Sequence, residues 1–171
     1  DMKWCNKVVE YAHRTADMGI CYKSNTVEWN NCVIGVISDA SHAAEETASG
    51  EAYRSQGGRL IVLMTPSGVS GEEHHIHIIA WHSTVLRRVC RSTFQSEAYS
   101  LQQGIEEGDR IRAAFADVNG AIKDRKSWEA DSAAFIQQIW FTDCKSLEQA
   151  LVKEASDKYA DKRLGIELAS L

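Results

Sequence analysis

Proline occurs once in the 171 residues, and long apolar runs do not occur at all. With 44% apolar and 25% charged residues, the composition excludes disordered, collagen-like and coiled-coil chains and fits one domain with a real core. No apolar stretch approaches the roughly 20 residues needed to span a bilayer, and the first residues lack the shape of a signal peptide. A soluble chain with no membrane segment is expected. The five cysteines, at 5, 21, 32, 90 and 144, are odd in number and form no C-x-x-C. That argues against a disulfide framework and points to buried free thiols in a reducing, intracellular compartment. Excess positive charge is also missing: the net charge of -5 argues against a strongly basic nucleic-acid binder, although a local basic patch can still supply phosphate contacts. No G-x-x-x-x-G-K is present, so there is no phosphate loop.

What is present is organised around residues 32–41, C-V-I-G-V-I-S-D-A-S. Val33, Ile34, Val36 and Ile37 have the composition of a strand buried on both faces, and the polar Ser38-Asp39-Ala40-Ser41 reads as its exit into a loop or cleft. Ahead of it, Trp4, Val8, Val9, Ala12 and Ala16 recur at helical spacing over residues 3–18, with Gly19 as a stop; residues 20–29 read as a connector. The domain boundary is placed near Asn30-Asn31. Downstream, residues 33–38, 59–64 and 75–82 are predicted strands, with residues 40–56 a loop and Gly57-Gly58 a turn. Their short links favour an antiparallel meander.

The period then changes. Phe94, Ala98, Leu101, Ile105, Ile111, Phe115 and Val118 mark a long helix from Ser92 or Thr93 to Asn119-Gly120, with Gly104 and Gly108 on one face permitting close approach to another element. Residues 121–132 read as a charged linker, 135–142 as a fourth strand, 144–155 as a second helix, and 161–171 as the start of one further element. Because the fourth strand follows a helix, it can return parallel to the first. The expected architecture is α/β: a mixed sheet of a three-strand antiparallel meander and a parallel fourth strand, with the long helix packed on it.

This order places Asp39 and Asp143 at neighbouring strand ends, where open α/β sheets gather ligands. Glu97 shares the buried face of the long helix with Leu101 and Ile105. A carboxylate facing a sheet is costly without a cation, and two further acids only raise the cost. Hard divalent ions relieve it, and two of them about 3.5 to 4 Å apart would support in-line phosphodiester cleavage. Three ordinary acids among 24 is the competing reading.

Ser38-Asp39-Ala40-Ser41, Ser55-Gln56-Gly57-Gly58, Trp81-His82-Ser83, Arg91-Ser92-Thr93-Phe94-Gln95-Ser96-Glu97 and Thr142-Asp143-Cys144-Lys145-Ser146 occur in that sequence. From about residue 30 onward this resembles the ribonuclease H domain of copia-type retrotransposon polyproteins. The resemblance implies a ribonuclease H-like fold, an endonuclease that hydrolyses the RNA strand of RNA/DNA hybrids, two Mg²⁺ or Mn²⁺ ions, and a reverse transcriptase domain in the same polyprotein. It carries the catalytic and metal-binding acids to Asp39, Glu97 and Asp143. On this view residues 1–30 are an N-terminal helix and connector, and residues 31–171 a C-terminally truncated domain. The family's fourth acid, final strand and final helix are expected to be missing, and Asp161 is not counted as that acid. The alternative is a ribonuclease H-like scaffold or protein-binding module without catalysis; an integrase-like or junction-cutting nuclease of the same fold is a third reading.

Arg87, Arg88 and Arg91, with Ser92, stand where substrate phosphates would be met, or form a solvated basic loop. His74, His75, His77 and His82 invite a zinc reading, but strand alternation puts His75 and His77 opposite His74 and His82. A Cys144/His42 nucleophile pair lacks a third member. Trp81, Trp140 and Phe141 are expected in the core rather than as base-stacking platforms.

Overall fold

The β-branched run expected at the centre of the chain does form a central strand. In the computed structural model, which describes residues 2–45, 54–70 and 73–152, the elements are α1 (Met2–Arg14), β1 (Val33–Glu45), β2 (Arg54–Met64), a 3-10 turn (Pro66–Ser70), β3 (Ile76–Val85), α2 (Thr93–Val118), α3 (Trp128–Phe135), β4 (Gln138–Phe141) and α4 (Lys145–Val152). The fold is α/β, with a four-stranded mixed sheet in the order β3-β2-β1-β4. β1, β2 and β3 form the antiparallel meander, and β4 lies parallel to β1.

The two faces of the sheet bury different sets of side chains. On one, Ile34, Val36, Ile61 and Leu63 pack with Ala98, Leu101 and Ile105 of α2, Ile136, and Leu147 of α4. On the other, Val33, Val62 and Met64 are flanked by Leu60, Ile78, Ile139 and Phe141. Burying Leu101 and Ile105 contributes on the order of 2 kcal/mol each. Close approach of α2 depends on its two glycines: a Cβ on Gly104 would stand 2.8 Å from Val36 Cγ1, and one on Gly108 would stand 2.9 Å from Val36 Cγ2. The helix starts where its cap predicts, with Ser92 Oγ accepting the Gln95 N–H at 3.2 Å and Gln95 Oε1 accepting the Arg91 N–H at 2.7 Å.

Several boundaries differ from the sequence expectation. β1 does not stop at Ser38 but continues through Asp39 to Glu45, and Gly57-Gly58 is not a turn: the pair lies inside β2, opposite Ala40 and Asp39. Strand pairing satisfies backbone groups whatever the side chains, so it outlasts the apolar pattern. The charged linker contains α3, whose entry is fastened by Asp131 Oδ2 accepting the Lys123 N–H and the Ser127 hydroxyl. Phe135 therefore ends a helix rather than starting β4. The further element expected at residues 161–171 lies outside the described residues.

α1 forms as expected, yet it buries no residue: Trp4, Val8 and Val9 are exposed. The connector behaves differently. Val27 enters the core beneath α2, Tyr22 donates its hydroxyl to Ile78 O at 2.5 Å, and Trp29 stacks on Phe115. All five cysteines are free thiols, and among the described residues no helix is long and apolar enough to cross a membrane.

Candidate metal centre

Parallel pairing of β1 with β4 ends at Ile37 and Phe141. Asp39 and Asp143 each stand two residues further on, so the register itself sets them side by side. Glu97 projects toward them from near the N-terminal end of α2. One carboxylate oxygen from each of the three lies within 4.8 Å of the others, the only such cluster of metal-ligating side chains among the described residues. Asp39 and Asp143 are exposed, whereas Glu97 is 4% exposed. The site thus has a buried floor and an open mouth.

The two oxygens of Glu97 have different surroundings. Oε1 accepts the backbone N–H of Ala40 at 3.2 Å, which fixes the carboxyl group against β1. Oε2 is buried and has no hydrogen-bond partner among the described residues. Burial pushes the Glu97 carboxyl up to about 7; the Ala40 N–H opposes the rise, and repulsion from Asp39 and Asp143 adds to it. A buried carboxylate with one orphaned oxygen, clustered with two further carboxylates, fits a hard divalent cation, which prefers oxygen ligands and would discharge the mutual repulsion.

Ser100, one turn beyond Glu97, supports the arrangement. Its hydroxyl lies 2.9 Å from Asp39 O and 3.1 Å from Gly58 O, tying α2 to both strands beside the acids. Sequence reasoning missed it, although its i+3 spacing from Glu97 places it on the same helix face. Also missed was the network in which Glu107 accepts from Arg59 Nε and lies against His82 Nε2, both at 2.7 Å.

The remaining candidates are dispersed. Arg88 lies 5.0 Å over the Tyr99 ring and lines a small hollow with Leu86 and Arg87, Arg91 is exposed, and the Ser92 hydroxyl is engaged as the helix cap. His42 Nδ1 faces Ser55 Oγ at 3.4 Å while Cys144 Sγ faces Ser146 Oγ at 3.3 Å, so the two do not pair. His77 and His82 do not lie on opposite faces as strand alternation predicts: a register shift at Ile61/Val62 puts His77 opposite Leu63 and His82 opposite Arg59, on the same face. They still form no zinc set, because His77 meets Thr26 and His82 meets Glu107. Trp140 and Phe141 do pack against the core, but Trp81 is 63% exposed, because β3 is an edge strand with nothing over that side chain among the described residues. Compared with protein-family models, curated proteins and solved structures, the chain matches none.

Proposed function

We propose that this chain carries the metal-dependent endonuclease centre of a ribonuclease H-like domain from a copia-type retrotransposon polyprotein, hydrolysing the RNA strand of RNA/DNA hybrids beside a reverse transcriptase domain. The observation that carries the reading is the buried carboxylate of Glu97, one oxygen of it unpartnered, gathered with those of Asp39 and Asp143 within 4.8 Å. Two Mg²⁺ or Mn²⁺ ions, when bound, would supply an activated water and stabilise the leaving oxygen of the cleaved phosphodiester. Asp39, within β1, and Asp143, just beyond the end of β4, hold the position from neighbouring strands at the open mouth. Glu97 anchors the floor, its orientation fixed by the Ala40 N–H before any ligand arrives. The loop carrying Arg88 and Arg91 leads into α2 close to Glu97 and supplies phosphate contacts. The preference for a hybrid rests on the motif order, from Ser38-Asp39-Ala40 through Arg91-Ser92-Thr93 to Thr142-Asp143, which resembles that family.

A labelled RNA/DNA hybrid incubated with the chain and Mg²⁺ or Mn²⁺ tests this. The expected result is cleavage confined to the RNA strand and lost in Asp39→Asn. An intact hybrid would replace it with the scaffold reading, and cleavage of duplex DNA alone with the integrase-like one.

A further inference from the structure

Two adjacent glycines lie in β2, and only one has a packing reason. A Cβ on Gly57 would stand 2.8 Å from Leu86 Cδ2 and 3.1 Å from Ser100 Oγ, so a side chain there would collide with the core beneath α2. Among the described residues, a Cβ on Gly58 would meet nothing nearer than Asp39 O at 3.8 Å, an ordinary contact. Gly58 does not have a positive φ, and its own pairs with Asp39 and Ser83 are in regular register, the shifts lying at Ser41/Glu45 and Ile61/Val62. A glycine inside a strand weakens it by roughly 0.5 to 1 kcal/mol relative to alanine. With no register shift at Gly58 itself and no crowding of its Cβ, the remaining reason for one is the close approach of a ligand or another backbone.

What surrounds Gly58 indicates the ligand. Its cross-strand partners are Asp39 on β1 and Ser83 on β3, so all three share the sheet face away from α2. In the next row on that face Ile37, Leu60 and Trp81 stand abreast. Trp81 packs into none of the core clusters and presents a bare indole about 10 Å, two strand spacings, from the strand of Asp39. Ser83 Oγ receives the Gln56 Nε2 donor at 2.9 Å, which leaves the serine proton to donate outward. Asp39, a floor without a side chain, a hydroxyl donor and an exposed aromatic therefore lie across one face, with Asp39 linking it to the acid cluster.

We propose that Gly58, Ser83 and Trp81 form the trough that holds the nucleic-acid strand leading to the acid cluster, with the sugar-phosphate backbone over Gly58 and a neighbouring base or sugar against Trp81. This rests on the nuclease reading of Asp39, Glu97 and Asp143 and adds the path of the substrate. Single-strand stacking on an aromatic side chain is sequence-tolerant, as such a path requires.

The test measures hybrid affinity by fluorescence anisotropy, Mn²⁺ affinity by calorimetry and the thermal midpoint for the wild-type chain, Gly58→Val and Trp81→Ala. Each variant is expected to bind hybrid about ten-fold more weakly or worse with Mn²⁺ affinity unchanged, the midpoint staying at the wild-type value in Trp81→Ala and at or slightly above it in Gly58→Val. Should valine disturb the strand, Trp81→Ala decides, since its side chain is exposed. Wild-type affinity in Trp81→Ala, from a chain that does cleave hybrid, overturns the trough and leaves the nuclease reading standing. A wild-type chain that neither binds nor cleaves hybrid overturns both.

Discussion

Replacing Glu97 by glutamine separates the cost of this carboxylate from its use. The group's value rises from 4.5 to about 7 on folding, chiefly through burial. Between those values the folded chain keeps a proton that the unfolded chain releases, so stability falls as pH rises through that window and stays low above it. A shift of this size corresponds to about 3 kcal/mol. Glu97→Gln keeps the shape and the acceptor for the Ala40 N–H but cannot ionise. In metal-free buffer it should match wild type at about pH 5 and exceed it by up to about 3 kcal/mol at about pH 8, a rise in melting temperature of roughly 6 to 12 °C. Adding Mn²⁺ at the higher pH should reverse the order, because only the wild type gains stability from binding. Thermal melts at the two pH values, with and without Mn²⁺, read all four conditions. A wild-type midpoint flat across this range, or a glutamine variant equally destabilised at both ends, would refute a buried carboxylate crowded by Asp39 and Asp143.

Mn²⁺ binding must displace the Glu97 proton, so calorimetric affinity should fall by about ten-fold per pH unit below about 7, and independence of pH would count against Glu97 as a ligand. Gly104→Val should lower the denaturant midpoint by the equivalent of about 1 to 3 kcal/mol, since its Cβ alone would stand 2.8 Å from Val36 Cγ1. Ser100→Ala removes the donor shared between Asp39 O and Gly58 O; a loss of about 1 kcal/mol in stability, with weakened Mn²⁺ binding, is expected by the same measurements. Ser92→Ala should cost about 1 kcal/mol of stability as a lost helix cap, and Ser92→Gly only a few tenths, in chemical denaturation.

The long helix was legible to within a residue or two because three signals agree over residues 92–118: a capping serine, a sustained helical period and paired glycines. The strand boundaries were not, because Ser38, Asp39, Gln56, Gly57 and Gly58 carry no apolar alternation, and only their partners across the ladder reveal that they are paired. Trp81 was misplaced for a related reason. Its residue type favours burial, but its exposure follows from the edge position of β3, which no local pattern encodes. The histidine faces were lost to one register shift.

The sequence by itself determined the order of the four strands, the long helix, the parallel return of β4, and the choice of Asp39, Glu97 and Asp143 as candidates, because periodicity, capping and motif order are written along the chain, whereas α3 was read as a linker. Only the tertiary structure decided that one Glu97 oxygen is held by Ala40 while the other is left unpartnered, that Ser100 bridges two strands, and that Gly58 has no steric reason to be a glycine. Those are statements about which atoms meet across long separations, and they exist only once β1, β2 and α2 are packed together.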